Sequence, residues 1–424
     1  MRSADGTTAR RRRALRIPNA CLRGRMTPGT PRLLRGMNDR AALDLLLEHG
    51  PLSRTRLGEL TGLSKPTASQ LLTRLERAGL VVTTGVSEGG PGRNAQLYAV
   101  NPVSAYVAAL DVTPTHIVAA VADLTGRVVG RSEVRTRRGT GITAVQHVAS
   151  ALDDALAASS EVGLGDLDRV VIGTPGAFDP ATGRLRYARH LPGWHDPDLL
   201  ERISEAVGVP VAGENDVNLA AVAEREIGRA VGVDDFVLLW ADEGLGAAIV
   251  IDGRLHGGAT GGAGEVGFLP LPGTPVVRHV GRSNTGGFQE LAGGKQVLAL
   301  ARSLGLRAGS PQAAVTRALT TPGPGDRLLQ QLGERVALGL ASLVAVLDPA
   351  LVVLAGGVLS AGGERLTDIV RAELADLTVA RPPVELTAVP HDPVLTGALH
   401  TALAATRDHV FDTLQTPPTL SATT

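Results

Sequence analysis

Apolar residues recur at helical spacing through the first part of the chain. A helix is predicted from Asn38 to Gly50, with an apolar stripe formed by Ala41, Leu45, Leu46 and Leu47. A second short helix, RTRLGELT, follows Ser53, whose hydroxyl can cap the first turn. Gly62 then allows a tight turn. The spacing therefore predicts two short helices joined closely to whatever follows.

The third predicted helix is SKPTASQLLTRLERAGL, with Ser64 as its N-cap and Pro66 in the first turn, where its missing N–H costs nothing. The apolar positions have the i, i+3, i+4, i+7 spacing of a buried face: Ala68, Leu71, Leu72 and Leu75. Two strand-like segments follow, GLVVTT and AQLYAV, joined by the Gly- and Pro-containing loop GVSEGGPGRN, which suits a hairpin tip.

This order predicts a winged helix-turn-helix domain over residues 36–100. Its third helix would present polar residues to base edges in the major groove, and Arg93 at the wing tip would reach a phosphate or the minor groove. The predicted DNA-binding residues are Ser64, Lys65, Thr67, Ser69, Gln70, Arg74 and Arg93. The alternative is a small three-helix bundle with an ordinary polar face.

After Asn101 the pattern changes to alternating strands and helices. Strands are predicted at AYVAALDV, HIVAAVADL, RVVGRSEVRT, RVVIGTPGAF and VPVAGEN, with a helix over residues 142–158 and another at DVNLAAVAERE. The strands FVLLWAD and GAAIVIDGRL then repeat the order of strands first and helices after. Periodicity alone predicts mixed α/β, and the duplicated layout resembles the two-lobed actin-like, or ribonuclease-H-like, sugar-kinase fold.

Composition and charge narrow the class of protein. The 424 residues exceed one ordinary core and suggest two or three domains. Residues 1–100 hold 17 Lys and Arg against 7 Asp and Glu, so this basic part offsets an acidic remainder in a chain of zero net charge. A basic N-terminal part favours nucleic acid as a partner. The lone cysteine, Cys21, and the lack of a long apolar run predict a cytoplasmic protein with no membrane partner.

The two ends of the chain are predicted to be disordered. Residues 1–35 form an Arg-rich arm without periodicity, and residues 406–424 form a polar, Pro-containing tail. Order begins soon after Met26, which suggests translation from Met26 rather than Met1. A transit peptide is the alternative interpretation of the arm.

Four motifs, in this order, resemble the ROK family of repressors, open reading frames and sugar kinases: GTPGAFDPATGRL, LPGW, ENDVNLAAVAE and DGRLHGGATGGAGEVG. The resemblance covers about residues 38–402 and implies a winged helix joined to a sugar-kinase-like domain over residues 101–405. It also implies that Asn215 and Asp216 bind sugar hydroxyls, with Asp216 as the remnant of a catalytic base. Glu265 and Glu290 match two further sugar-binding positions. The alternative role for Asp216, with Asn218, is capping of the next helix.

Two phosphate loops of the family's kinases are altered in this chain. Where the resemblance expects Asp-X-Gly-Gly-Thr, the chain reads Asp111-Val112-Thr113-Pro114-Thr115, which loses both glycines and one N–H donor. Where it expects Gly-Thr-Gly, the chain reads Asp242-Glu243-Gly244, and two carboxylates would repel a phosphate. ATP is therefore not expected as a cofactor, and no residue is expected to be catalytic.

The zinc motif implied by the resemblance also lacks its ligands. The one His and three Cys positions are occupied by Phe268, Gly281, Ser283 and Phe288. Neither zinc nor another metal is expected. The loop between them would be mobile or held by packing of the two phenylalanines.

The sequence thus predicts a transcriptional repressor that binds operator DNA and senses a sugar or sugar phosphate through a degenerate kinase body. Palindromic operators favour a homodimer or homotetramer, with the helix RLLQQLGERVALGLASLVAVL as the predicted contact. Two alternatives stay open: an ATP-dependent sugar kinase carrying a DNA-binding domain, and a regulator that no longer binds a sugar.

Overall fold

The computed structural model describes residues 31–87, 95–136, 142–159, 162–186, 191, 193–196, 198–274, 276–279 and 285–413. Within these ranges, a small N-terminal domain precedes two α/β lobes. The predicted Arg-rich arm up to residue 30, both candidate start residues and the tail beyond residue 413 lie outside the described part.

The N-terminal domain contains three helices and a three-stranded antiparallel sheet. Strand order is β1-β3-β2, so the short strand before α2 closes against the hairpin that forms the wing. The elements are α1 (Pro31–His49), β1 (Leu52–Ser53), α2 (Arg54–Thr61), α3 (Lys65–Arg77), β2 (Val81–Ser87) and β3 (Ala95–Val100). This arrangement confirms the predicted winged helix.

The caps and the buried face of the second and third helices follow the predictions. Ser53 Oγ accepts from the Arg56 amide at 3.2 Å, and Gly62 ends α2 at a φ of 70°, a conformation that favours glycine. Ser64 Oγ accepts from the Thr67 amide at 3.4 Å at the start of α3. The four predicted core residues of α3 are buried: Ala68, Leu71, Leu72 and Leu75.

The first helix differs from the prediction in its start and in its buried face. It begins at Pro31, so residues 31–35 are helical rather than part of a disordered arm. Its fully buried apolar residues are Ala42, Leu43 and Leu46, whereas Ala41 is exposed. The stripe was misplaced because apolar residues are so dense between 41 and 47 that several helical phases fit the pattern.

The first lobe is built on a five-stranded sheet of order β10-β7-β4-β5-β6. Strands β6, β5 and β4 are antiparallel, and β7 and β10 continue the sheet in parallel with β4. The strands are β4 (Tyr106–Val112), β5 (His116–Asp123), β6 (Val128–Arg135), β7 (Leu167–Thr174) and β10 (Val211–Asn215), with a separate ribbon of β8 (Ala177–Phe178) and β9 (Leu185–Arg186). Helices α4 (Ala144–Ser159) and α5 (Leu199–Val207) cover one face.

The second lobe repeats this sheet, with order β13-β12-β11-β14-β15 and the same succession of antiparallel and parallel pairs. The duplication is the layout expected of an actin-like fold. The strands are β11 (Phe236–Ala241), β12 (Leu245–Ile251), β13 (Arg254–Leu255), β14 (Leu351–Ala355) and β15 (Val384–Leu386). The helices are α7 (Gly287–Ala292), α8 (Gly294–Ser303), α9 (Pro311–Leu319), α10 (Pro324–Leu347) and α11 (Gly357–Leu377). Most apolar residues of α10, the helix proposed for a dimer contact, pack inside this lobe.

Helix α6 (Asp216–Ile227) lies between the two sheets. Leu219 packs with the first-lobe sheet, whereas Val217, Ala220 and Ala221 pack with the second-lobe sheet. The last helix, α12 (Pro393–Thr413), returns to the first lobe and packs against α6 and the same face of the sheet. The two lobes therefore share helix α6.

The C-terminal prediction needs correction, because α12 continues to Thr413 and residues 406–413 are helical rather than disordered. Thr406 is fully buried, and its hydroxyl donates to Asp168 at 2.7 Å. His409 Nδ1 lies 2.7 Å from the same carboxylate, and Arg407 donates to the carbonyl of Leu124. These tertiary contacts order a segment whose composition alone suggested a tail.

Replacing Thr406 with Val should lower the free energy of unfolding by about 1–2 kcal/mol, because it removes the hydrogen bond from a buried hydroxyl to the Asp168 carboxylate. Thr401→Val is the matched control, since the Thr401 hydroxyl only donates to Gly397 within the same helix and its loss should change stability by less than about 0.5 kcal/mol. Denaturant unfolding measures both. Equal effects of the two substitutions would contradict this account of how α12 is held.

Candidate DNA-binding face and sugar cleft

The exposed side of α3 carries most of the residues predicted to bind DNA. Ser64, Lys65, Thr67 and Gln70 are exposed, and Ser69 is half-buried. A shallow groove along the helix is lined by Ser69, Gln70, Thr73, Arg74 and Arg77. Thr73 and Arg77 thus extend the polar face beyond the predicted set, and Arg93 lies outside the described residues.

Arg74 is not free on this face. Its guanidinium makes two hydrogen bonds to the carboxylate of Asp39, one of them from Nε to Oδ2 at 3.0 Å. The Asp39 side chain is 8% exposed, and that of Arg74 is 41% exposed. Because a buried carboxylate without a partner is costly, Arg74 stabilises the contact between α1 and α3 and offers DNA only its outer edge.

The second candidate site lies where the central strands of the first lobe end. Asp111 is in register with Gly173, and Gly173 with Glu214, so β4, β7 and β10 bring Asp111 and Asn215 to the same edge of the sheet. These strands are parallel, and their carboxyl ends are the usual position for a ligand in an α/β sheet.

Asn215 begins α6 and is held by two hydrogen bonds. Its Oδ1 accepts from the Asn218 amide at 3.1 Å, and its Nδ2 donates to the Gly176 carbonyl at 2.9 Å. Glu214 accepts from the backbone N–H of Asn215 and the side chain of Asn218. Capping of α6 is thus performed by Asn215 rather than by Asp216 or Asn218, and the cap fixes the direction of the chain at the cleft.

Three carboxyl groups share this region. Burial, together with repulsion from Asp111 and Glu265, raises the pKa of Asp216 to about 7. Burial, with a contribution from Asp392, raises the pKa of Asp111 to about 7, and burial alone raises that of Glu265 to about 7. The structure therefore brings Asp111, Asp216 and Glu265 within electrostatic reach of one another. Near pH 7 such groups can both donate and accept hydrogen bonds, as sugar hydroxyls require.

Glu290 is separate from this group in its contacts. Its side chain is exposed and accepts from Thr285 Oγ1 at 2.6 Å and from Gln296 Nε2 at 2.9 Å. These partners occupy both carboxylate oxygens. Its predicted sugar-binding role stays a prediction.

The first altered phosphate loop is a tight hairpin closed on itself. The Thr113 amide donates to the His116 carbonyl at 2.9 Å, and Thr113 Oγ1 lies 3.0 Å from His116 Nδ1. Pro114 offers no N–H. The backbone donors of this turn are largely used within the hairpin.

The second altered loop places a carboxylate at a helix N-terminus. Asp242, in the turn between β11 and β12, accepts from Gln312 Nε2 and from the amide of Gly357, which begins α11. Burial raises the pKa of Asp242, and the neighbouring Glu243 raises it further. The N-terminus of a long helix attracts anions, and here the chain's own carboxylate satisfies it.

The positions expected for zinc ligands have a packing role where the structure describes them. Phe288 is fully buried in the core of the second lobe, where its ring leaves no room for a side chain at Gly339 of α10. Phe268 is half-buried, and Gly281 and Ser283 lie outside the described residues. In the described part of the chain, no three His, Cys, Asp or Glu side chains are grouped so that they could hold a metal ion.

Sequence reasoning missed Asp39 as a partner of Arg74. Asp39 stands three, four and seven residues before Ala42, Leu43 and Leu46, so a carboxylate on the buried side of α1 was a readable signal for a buried ion pair. Asp111 was noticed only as part of a lost phosphate loop. No local pattern indicated that Asp111 would approach Asp216, because that contact depends on the strand order.

A winged helix on a duplicated α/β body with this cleft defines a class of proteins that includes regulators and sugar kinases. The ROK family model matches residues 107–399, and a MarR family model matches residues 37–93. The chain belongs to the ROK family.

Two relatives illustrate the range of this family. A xylose repressor of Caldicellulosiruptor bescii is 25% identical over 341 residues, which cover 77% of this chain and 84% of the relative. A glucokinase of Thermotoga maritima is 30% identical over 222 residues, covering 49% and 69% of the two chains.

Two solved structures support the fold. A ROK family transcriptional regulator described as a homologue of the Escherichia coli MLC protein superposes with a TM-score of 0.71 and 20% identity, covering 90% of this chain and 99% of the other. A ROK hexokinase from Thermus thermophilus gives a TM-score of 0.60 and 30% identity, covering 72% and 99%. No helix among the described residues is long and apolar enough to cross a membrane.

Replacing Asp216 with Asn should stabilise the protein at pH 8 and have a smaller effect at pH 5. The folded-state pKa of about 7 exceeds 3.8, the ordinary pKa of an aspartate side chain. Between these two pKa values the native state binds more protons than the unfolded state. The stability that results is lost as the pH rises through the folded-state pKa of about 7. Because Asp216 is only half-buried, we expect about 1 kcal/mol, or roughly 2–4 °C in Tm.

Thermal unfolding at both pH values measures this effect. Asp154→Asn, which alters an exposed carboxylate on α4, is the control. A gain in Tm that is the same at pH 5 and pH 8 would show that relief of charge at the cleft is not its cause.

Proposed function

We propose that this chain is a DNA-binding transcriptional repressor whose kinase-like body senses a sugar. The observation that carries the proposal is the combination, in one chain, of an exposed polar face on α3 with the cleft of Asn215, Asp216 and Glu265. The named relatives that match across both regions, including the xylose repressor of Caldicellulosiruptor bescii, favour repression. A sugar kinase alone would have no use for the winged helix.

The DNA would be read by the N-terminal half of α3. Thr67 and Gln70 are exposed and can reach base edges, whereas Ser64 and Lys65 stand at the helix start, where phosphate contacts are common. The wing, with Arg93 near its tip, would lie along the neighbouring backbone or minor groove. A homodimer or homotetramer would place two such helices on a palindromic operator.

The effector would be an unphosphorylated pentose or hexose, with D-xylose and D-glucose as the first candidates. Carboxyl and amide groups at Asn215, Asp216 and Glu265 suit vicinal hydroxyls. Asp216 and Glu265, each with a pKa of about 7, are partly ionised at neutral pH, and their negative charge makes this end of the cleft a poor site for a phosphate dianion. A sugar phosphate is therefore the less favoured effector.

The contact of Asp242 with Gly357 argues against kinase activity. In that position an ATP phosphate would meet a carboxylate already bonded to the helix N-terminus, beside a second acid, Glu243. Like charges at contact distance repel by about 1 kcal/mol even in water and by more at a half-buried site. We expect no ATP turnover with glucose or xylose, and no requirement for zinc.

The test is fluorescence anisotropy of the protein on DNA upstream of its own gene, at two salt concentrations, with and without D-xylose, D-glucose and their phosphates. Sequence-specific binding that an unphosphorylated sugar weakens is the expected result. Binding that stays non-specific on all fragments, together with sugar-dependent ATP hydrolysis, would favour the kinase. Specific binding that no sugar alters would favour a regulator that has lost its effector.

Two substitutions separate base reading from phosphate contact on the same helix. Gln70→Ala should cost roughly 1–3 kcal/mol on the operator and little on unrelated DNA. Lys65→Ala should weaken both and lower the slope of log K against log salt by about one. Arg302→Ala, an exposed cation of α8, is the control. If Gln70→Ala weakens binding to the operator and to unrelated DNA equally, Gln70 contacts the DNA backbone and not a base.

A further inference from the structure

We propose that α1 is a bridge through which the last helix, α12, sets the position of the recognition helix α3. The proposal rests on the proposed function, since it names the residues that would connect the sugar cleft to the DNA-binding face. Consecutive residues of α1 contact different helices: Asp39 pairs with Arg74 of α3, and Arg40 pairs with Asp408 of α12.

On one side, the contact of α1 with α3 is nearly fixed. Asp39 is buried and bonded twice by Arg74, and the neighbouring apolar residues Ala42, Leu43 and Leu46 lie in the core of the small domain. A buried, two-point ion pair is costly to break. Helix α3 must therefore follow any displacement of α1.

On the other side, the contact of α12 with α1 and the rest of the small domain combines an ion pair with an apolar contact, because Val410 of α12 packs against the core of that domain. Arg40 pairs with Asp408, and their side chains are 50% and 54% exposed. Arg407 lies near Asp44 and donates from Nη2 to the Leu124 carbonyl at 3.0 Å. Exposed pairs of this kind contribute little stability by themselves, but because Val410 packs against the core of the small domain, a displacement of α12 also moves α1.

The opposite end of α12 lies at the sugar cleft. Asp392, just before the helix, is close enough to Asp111 to raise its pKa, and it pairs with Arg131 at 3.0 Å. Gly397 packs so closely on α6 that a Cβ there would lie 1.8 Å from the carbonyl oxygen of Leu219. Because α6 starts at Asp216, a ligand that moves α6 must also move α12.

Helix α12 is therefore a rigid connection between the two sites. From Gly397 to Asp408 it spans eleven residues, or about 16 Å at the helical rise. Asp39, Arg40 and Asp408 act as positioning residues and not as DNA contacts.

The experiment introduces a steric clash at Gly397, where α12 contacts α6. Gly397→Ala should push α12 away from α6, and we expect amides of α1 and α3 to exchange hydrogen about fivefold to tenfold faster. Operator affinity should fall by about tenfold without any change at the DNA face. Adding Asp408→Asn to Gly397→Ala should cause less further loss than Asp408→Asn alone, because both interrupt the same path.

Gly325→Ala is the matched control. Its Cβ would lie 2.1 Å from the carbonyl oxygen of Ala318, a similar backbone clash, but within the second lobe and remote from α12. It should cost comparable stability and leave exchange in α1 and α3 within about twofold of the wild type. Equal changes in the two variants would mean general destabilisation and would overturn the bridge.

A charge exchange keeps the test decisive if Gly397→Ala does not fold. Arg40→Asp and Asp408→Arg should each speed up hydrogen exchange in α3, and the double variant should return it to the wild-type rate. Reversal of the two charges in the exposed pair of Arg365 with Asp326, in the second lobe, should leave hydrogen exchange in α3 unchanged. Single substitutions that leave α3 unchanged would overturn the proposal. A wild type that fails to bind operator would refute the proposed function alone, because hydrogen exchange needs no DNA.

Discussion

The position of α6 between the two sheets is the constraint on which the rest of the structure depends. Leu219 packs against the first-lobe sheet, and Val217, Ala220 and Ala221 pack against the second-lobe sheet, so both lobes share this helix. Its first residues, Asn215 and Asp216, are thereby placed at the ends of the parallel strands. The close approach at Gly397 lets α12 lie on the same helix. A chain that lost this packing would lose the cleft and the connection to α1 together.

The turn at Asp242 illustrates how a side chain of the protein can satisfy the N-terminus of a helix. The turn at Asp242 still closes on Gly357 at the start of α11, as the glycines around it require. The anion at that helix end is now a side chain of the protein. The partial positive charge of that helix N-terminus is thus met by a carboxylate of the same chain.

The sequence predicted the winged helix and the strands of both lobes because each has a strong local pattern. Helix α3, for example, combines a cap at Ser64 with an unambiguous apolar face, and both features are present in the structure. The register of α1 was mispredicted because several apolar phases fit its sequence. Residues 406–413 were wrongly predicted to be disordered, because the residues that hold them in place, Asp168 and Leu124, lie more than 200 positions away in the sequence. Among the proposed sugar-binding residues, the motif identified Asn215, Asp216 and Glu265, but only the strand order brings Asp111 beside them.

The central claim is that one chain couples a sugar cleft to a DNA-binding face, and linkage requires that such coupling be reciprocal. The most direct measurement is the affinity for D-xylose and D-glucose by titration calorimetry, with and without saturating operator DNA. The account predicts that operator DNA weakens binding of the effective sugar by the same factor by which that sugar weakens operator binding. Sugar affinity that is unchanged by operator DNA, in a protein that binds both, would contradict it.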